Sequence, residues 1–254
     1  MVRTERRHDG GHLRLILNQP KANILSIALM RDLRRALSTV QHLPEVRLVT
    51  IEGAGDHFSY GASVEEHRAA LIADALAELH GLVRDLLACP APTAAVVRGR
   101  CLGGGFEIAL ACDLMFAAST AVLGVPEIAL GVFPPAAATL LPPRIGTSRA
   151  AAAVLTGRTS QVDAWVTAGL VDLVAPAEEL QVAVDRWFDA NLGSRSAAAL
   201  RYAARASRLW LSQQVEATLP QLERLYLDTL MHTRDAAEGI DAFIEKREPR
   251  WVHA

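Results

Sequence analysis

The sequence predicts an α/β domain followed by a helical region. Strand-like and helix-like segments alternate through the first half of the chain, which is typical of α/β domains. After about residue 157 strand signals become rare, and helical periodicity continues to the end. We therefore expect a core over residues 1–194 and a C-terminal helical region over residues 195–254, whose leucines must pack on the core or on a neighbouring subunit.

Each predicted element follows from the periodicity of its apolar residues. Alternating leucines indicate a strand at 12–18, and apolar residues at helical spacing indicate a helix from Ser26. A short apolar run after a proline pair predicts a buried strand at 93–99. The other predicted elements are a strand at 46–52, a loop at 53–63, a helix at about 65–87, a helix after the glycines at 103–105, short strands at 113–118 and 121–124, and a strand at 170–175.

The composition limits the classes of function. The chain has 254 residues, of which 51% are hydrophobic and 21% charged, and its formal net charge of −2 gives no sign of a nucleic-acid or acidic-membrane partner. It shows neither an apolar signal segment nor an apolar run long enough to span a bilayer. The three cysteines lie among apolar residues without metal-ligand spacing, which favours free thiols in a reducing compartment. We therefore expect a cytoplasmic protein without a metal site.

Two glutamates in the least polar part of the chain are the strongest candidates for chemistry. Glu107 follows three glycines at the start of a predicted helix, and Glu127 follows Pro126 before another apolar run. Each has a simpler explanation alone, since Glu107 suits a helix N-terminus and Glu127 suits an exposed loop. If both flank one buried region, however, burial and mutual repulsion separate their pKa values. One carboxyl then acts as a base while the other supplies a proton.

The glycines at 103–105 leave more than one interpretation open. A phosphate-binding loop is disfavoured, because neither GxGxxG nor GK[ST] is present. A turn that needs positive φ is one alternative, and an oxyanion hole, in which glycine lets a carbonyl oxygen approach a backbone N–H, is the other. Segment 57–66 would supply a second N–H opposite Gly104. A nucleophilic serine in that segment is disfavoured, because the chain lacks the GxSxG pattern there.

These features, in this order, resemble the crotonase family, which is the enoyl-CoA hydratase/isomerase superfamily. The resemblance rests on PKAN at 20–23, HFSYGA at 57–62, LGGGFEIALACD at 102–113, GVPEIALGVFP at 124–134 and GIDAFIEKREP at 239–249. It covers nearly the whole chain and implies the family's fold. That fold is a spiral of ββα units followed by C-terminal helices that build trimers, usually paired into hexamers.

The resemblance also implies roles for particular residues. The backbone N–H groups of Ala62 and Gly104 would bind the thioester oxygen of an acyl-CoA substrate, and the two glutamates would hold and activate a water molecule. Residues expected along the CoA and acyl path are Lys21, Ala22, Tyr60, Gly61, Val64, Gly103 and Phe133, with Phe243 and Lys246 at the adenine end of CoA. CoA is part of the substrate, so no further cofactor and no metal is implied. The implied assembly is a homotrimer or hexamer, without nucleic-acid or membrane partners.

Departures from the family pattern concern the acyl group. Ser63 stands where most members have aspartate, PAAAT at 135–139 replaces a glycine-rich turn, and two leucines at 140–141 replace a Gln-Arg pair. These positions resemble a subgroup that hydrates a cyclic dienoyl thioester in anaerobic benzoyl-CoA breakdown. In that reaction the proton can be delivered at the far end of a dienolate, and Glu127 is our candidate for the acid.

Three alternative functions stay open at the level of the sequence. They are a general short-chain enoyl-CoA hydratase, a double-bond isomerase and a non-catalytic CoA-binding scaffold. Retention of both glutamates counts against an isomerase, because isomerases of this family often lose one of them. A scaffold predicts that glutamine at either position leaves every measurable property unchanged.

Overall fold

Strands and helices alternate along the chain in the computed structural model, which describes residues 1–68 and 70–254. The strands are β1 (Val2–Arg7), β2 (His12–Leu17), β3 (Leu48–Gly53), β4 (Thr93–Val97), β5 (Arg100–Leu102), β6 (Leu114–Ala118), β7 (Val122–Gly124), β8 (Ser160–Gln161) and β9 (Leu173–Ala175). The helices are α1 (Ile27–Ser38), α2 (Ile72–Ala88), α3 (Gly104–Ala111), α4 (Pro135–Ile145), α5 (Thr147–Thr156), α6 (Val162–Thr167), α7 (Leu180–Asn191), α8 (Ala197–Arg224) and α9 (Arg234–Glu245). A π-helical turn, Leu225–Thr229, follows α8.

The strands form two sheets. The larger sheet has the order β1-β2-β3-β4-β6-β9, in which β1 and β2 pair antiparallel and all other neighbours pair parallel. Strands β3 and β4 are buried along their whole length, as expected for parallel strands that are covered on both faces. The smaller sheet has the order β5-β7-β8. Because β5 ends directly before the glycines, this sheet fixes the turn that starts α3.

The predicted strands at 12–18, 46–52 and 93–99 correspond to β2, β3 and β4 within two residues at each end. Strand β1 escaped prediction because its sequence, VRTERR, is largely charged, as suits the solvent-facing edge of a sheet. The helix predicted from about residue 65 is divided in the structure. A 3-10 turn, Val64–His67, comes first, and α2 starts at Ile72. Residue 69 belongs to that predicted helix and lies outside the described residues.

Segment 135–139, which replaces the glycine-rich turn of most family members, is the first part of α4. Pro135 lies in the first helical turn, where the missing N–H of proline costs nothing. The amides that follow it belong to the helix N-terminus, where backbone N–H groups have no acceptor within the helix. The helix start therefore presents free donors to whatever lies in front of it.

The C-terminal helices pack on the core of their own chain. Val215 and Leu219 of α8 belong to the main apolar core, and Arg208 is only 3% exposed. The Arg208 Nε donates to Asp113 Oδ1 at 2.6 Å, and its Nη2 donates to the Ala91 carbonyl at 2.9 Å. A division of the chain near residue 194 stays a prediction. Within the described part of the chain, no helix combines the length and apolar composition needed to cross a membrane.

Candidate active site

One cavity of about 360 Å³ brings most of the predicted site residues together. Its wall includes the start of α3, the 3-10 turn Pro126–Leu130, the start of α4, the π turn and α9. The predicted residues that line it are Tyr60, Gly61, Ala62, Val64, Gly103, Gly104, Glu107, Glu127, Phe133 and Phe243. The segments that carry them are far apart in sequence, so the cavity is a product of the whole fold.

Glu107 lies in the first turn of α3 and is only 2% exposed. Its Oε1 accepts a hydrogen bond from the Ala137 N–H at 2.8 Å, at the start of α4. Burial raises the pKa of Glu107, while the attraction of His80 and the amides of Ala137 and Ala136 lower it. The carboxyl is therefore held by donors that favour its charged form.

Glu127 faces the same cavity from the 3-10 turn, but fewer hydrogen-bond donors contact its carboxyl. Its Oε2 is buried and has no hydrogen-bond partner among the described residues. Burial, followed by the negative charge of Glu107, raises the pKa of Glu127 well above the usual value, and only its own amide opposes this. These influences favour the neutral form of the Glu127 carboxyl.

Two neighbouring backbone amides, those of Ala62 and Gly104, belong to the same cavity wall. The bridge between Leu25 and Ala62 uses the Gly61 carbonyl and the Ser63 N–H, so the Ala62 N–H takes no part in it. The Gly104 N–H is the first amide of α3 and has no acceptor in the helix. A Cβ atom on Gly104 would lie 3.3 Å from the Ala62 nitrogen, so the two donors are close neighbours. They can bind the same oxygen atom.

Gly103 sets the geometry between the amides and Glu127. Its φ is +51°, a left-handed conformation that side chains with a Cβ rarely adopt. A Cβ atom there would lie 2.7 Å from the Glu127 Oε1, closer than any ordinary contact. The turn thus needs glycine for two separate reasons.

Comparison with known proteins agrees with this geometry. The model of the enoyl-CoA hydratase/isomerase family matches residues 9–254. This chain belongs to the enoyl-CoA hydratase/isomerase family. The chain is 45% identical to a cyclohexa-1,5-dienecarbonyl-CoA hydratase of Thauera aromatica, covering 96% of this chain and 93% of the relative. It is 36% identical to a probable enoyl-CoA hydratase of Mycobacterium bovis, with 94% and 93% covered.

Solved structures of the family agree with the fold. An enoyl-CoA hydratase from Mycobacterium avium subsp. paratuberculosis superposes with a TM-score of 0.86 at 29% identity, covering 99% of this chain and 98% of that one. A Bacillus anthracis enoyl-CoA hydratase gives a TM-score of 0.76 at 30% identity, with 98% of each chain covered. The family and the α/β fold predicted from the sequence are therefore confirmed.

Three residues that the family resemblance suggested lie outside the cavity wall. Lys21 and Ala22 are in left-handed conformations, and the Ala22 carbonyl accepts from the Tyr60 N–H at 3.1 Å. Lys246 ends α9, also in a left-handed conformation, and its neighbour Arg247 lines the cavity instead. Contacts of these three residues with CoA stay predictions.

The sequence reasoning missed a buried pair behind Glu107. His80 of α2 is fully buried, and its Nδ1 lies 2.6 Å from Glu223 Oε1 on α8. The hydrogen bond with His80 lowers the pKa of Glu223. Because His80 also lowers the pKa of Glu107, the C-terminal region influences the catalytic candidates electrostatically. A lone histidine on the apolar face of a predicted helix gave no signal of this role.

Tyr226 was also missed. It is 1% exposed, lines the cavity from the π turn and packs edge-on against Phe133, with ring centroids 5.4 Å apart. In the sequence it lies among leucines at helical spacing, so it resembled an ordinary core residue.

Proposed function

We propose that this chain hydrates an α,β-unsaturated acyl-CoA thioester, with cyclohexa-1,5-diene-1-carbonyl-CoA as substrate and 6-hydroxycyclohex-1-ene-1-carbonyl-CoA as product. The observation that carries the proposal is that two carboxyls, Glu107 and Glu127, line one cavity with the adjacent amides of Ala62 and Gly104. The name of the Thauera aromatica relative supports this choice of acyl group. The reaction would belong to anaerobic degradation of aromatic compounds.

The amides of Ala62 and Gly104 bind the thioester oxygen of the substrate. Addition of water to the β-carbon drives negative charge onto that oxygen, and two fixed donors stabilise the charge where it develops. In a site that excludes water each donor is worth more than in solution, and losing one costs roughly 3–4 kcal/mol of barrier. The thioester oxygen fixes the position of the acyl group relative to the glutamates.

Glu107 acts as the base and Glu127 as the acid. The Glu107 carboxylate takes a proton from water while the water oxygen bonds to the β-carbon, and the π electrons move toward the thioester oxygen. The Glu127 carboxyl then gives its proton to carbon, and the electrons return from the oxygen to form the remaining double bond. A proton passes from Glu107 to Glu127 after the product leaves, which restores the starting state.

The cyclic diene makes specific demands on the site. Hydroxyl and proton are added at opposite corners of the six-membered ring, so the acid must stand away from the oxyanion hole. We assign this role to Glu127, which reaches the cavity from the turn Pro126–Leu130 and not from the helix that begins at Gly104. The rings of Phe133 and Tyr226 offer an apolar wall for a flat acyl group.

The remaining predictions belong to the same proposal. The substrate is an acyl-CoA, CoA is not a separate cofactor, and the enzyme works in the cytoplasm. We expect assembly into trimers or hexamers through the C-terminal helices. This expectation is supported by three large side chains of α8 that are more than half exposed, Tyr202, Leu209 and Trp210.

The test is an assay of straight-chain and cyclic enoyl-CoA thioesters. Hydration of each thioester is measured as the loss of the conjugated thioester absorbance. The cyclic dienoyl-CoA should be hydrated with the highest kcat/KM, and Glu107→Gln and Glu127→Gln should each abolish most of the activity. If crotonyl-CoA is hydrated much faster than the cyclic dienoyl-CoA, the proposed acyl group is wrong, but the proposal that the chain is a hydratase stands. If no thioester is hydrated, the proposed function is wrong.

A further inference from the structure

The Tyr226 hydroxyl is a polar group inside the cavity that the proposed roles leave unused. It is buried and has no hydrogen-bond partner among the described residues, although a buried hydroxyl normally finds one. A π turn places it there, and single π turns within helices occur frequently at functional sites. An unpaired hydroxyl in this position indicates that its partner arrives with the reaction.

The position of the hydroxyl relative to the two carboxyls narrows the choice of partner. Burial raises the pKa of Tyr226, and the charges of Glu127 and then Glu107 raise it further, so both carboxyls are near. The hydroxyl nevertheless forms no hydrogen bond with either carboxyl in the structure. Ordered water molecules bridge protein polar groups that lie near each other without a direct hydrogen bond.

The chemistry of the substrate excludes the acyl group itself as the hydrogen-bond partner of the Tyr226 hydroxyl. The cyclic dienoyl group is a hydrocarbon apart from its thioester carbonyl, and the amides of Ala62 and Gly104 already bind that oxygen. The only other polar atom that the reaction brings into the acyl part of the cavity is the oxygen of water, which becomes the product hydroxyl.

We propose that Tyr226 is a further catalytic residue, whose hydroxyl binds the attacking water between Glu107 and Glu127. The water donates one hydrogen to the Glu107 carboxylate and the other to the Tyr226 oxygen. A lone pair of the water is then free and directed at the β-carbon. After bond formation the same hydroxyl contacts the new hydroxyl group of the product. This inference rests on the proposed hydration reaction.

The test is Tyr226→Phe, which removes the hydroxyl and keeps the ring that packs on Phe133. The control is Ser148→Ala, which removes a hydroxyl from an exposed side chain of α5 that does not line the cavity. Steady-state hydration is measured with the thioester that the wild-type enzyme hydrates best. Melting temperature and product inhibition are measured alongside.

We expect Tyr226→Phe to lower kcat roughly 10- to 100-fold, the range for loss of one hydrogen bond in a charged site. KM should stay close to the wild-type value, because the substrate itself makes no bond to the hydroxyl. Product should inhibit more weakly, and the melting temperature should not fall, because no protein hydrogen bond is lost. Ser148→Ala should match the wild type in kcat, KM, product inhibition and melting temperature.

Three results would overturn the inference. The first is an unchanged kcat in Tyr226→Phe. The second is a lower melting temperature that accounts for the lost activity, which would make the hydroxyl structural. The third is an unchanged maximal kcat with a displaced pH profile, which would mean that Tyr226 acts only through Glu127. If the wild-type enzyme itself hydrates no thioester, the proposed function is wrong and the role of Tyr226 falls with it, whereas an active wild type with an equally active Tyr226→Phe overturns the role of Tyr226 alone.

Discussion

Replacing Gly103 with alanine should have two effects: the new Cβ displaces the Glu127 carboxyl, and the positive φ strains the backbone. The new Cβ would lie 2.7 Å from the Glu127 Oε1, whereas ordinary contacts begin at 3.4 Å, so the carboxyl must retreat by about 0.7 Å. Displacement of a reacting group on the order of 1 Å costs about 100-fold in rate. The positive φ of +51° adds about 1–2 kcal/mol of backbone strain. For a domain of this size that strain lowers the melting temperature by roughly 2–8 °C.

Gly169→Ala is the matched control for this prediction. Gly169 has a φ of +78°, and an added Cβ would meet nothing within 4 Å. The control therefore has the backbone strain without the displaced carboxyl. Both variants should melt at lower temperature by circular dichroism, but only Gly103→Ala should lose about 100-fold in kcat, measured by thioester absorbance. Equal kcat values in the two variants would refute the assigned contact between Gly103 and Glu127.

Three further predictions concern charges. The pH dependence of kcat/KM should be bell-shaped. On the acidic limb, activity is lost below the pKa of Glu107, because Glu107 must be ionised. On the basic limb, activity is lost above the raised pKa of Glu127, because Glu127 must be protonated. Glutamine at either position should remove the corresponding limb and lower kcat roughly 100- to 10,000-fold, and two intact limbs would contradict the assignment. His80→Leu should move the acidic limb to higher pH, because His80 lowers the pKa of Glu107. An acidic limb at the wild-type pH would show that His80 does not affect the pKa of Glu107. Arg208→Ala should destabilise the fold by about 3–5 kcal/mol in chemical denaturation, since it leaves a partly buried carboxylate unpaired, whereas Arg205→Ala on the exposed face should have little effect.

The apolar runs made the central part of the fold predictable. Parallel strands that are buried on both faces have continuous apolar sequences, so 46–52 and 93–99 were visible without any structure. Strand β1 lacks such a run, because it lies at the edge of the sheet and pairs with β2 only. Its other contacts include ion pairs with residues far along the chain, such as Arg7 with Asp185, and local sequence cannot reveal such contacts.

The candidate site was predictable to the extent that it depends on local motifs. Glycines before an acidic residue predicted Gly104 and Glu107 as site candidates, because both belong to one strand–turn–helix segment. His80 and Tyr226 were not predictable, since each is an apolar-face residue whose role depends on packing between α2, α8 and the π turn. When the role of a residue depends on contacts between distant segments, the sequence around that residue does not predict the role.

The difference between the two glutamates also comes from outside their own segments. Both are glutamates beside a turn in an apolar stretch, so their sequences alone cannot assign the acid and the base. What distinguishes them in our proposal is segment 135–139, which starts a helix and directs the Ala137 amide at Glu107, 30 residues earlier in the chain. A helix N-terminus favours the charged form of a nearby carboxyl, whereas the Glu127 Oε2 has no donor among the described residues. We therefore propose that the start of α4, and not the residues next to either glutamate, makes Glu127 the carboxyl that keeps the proton.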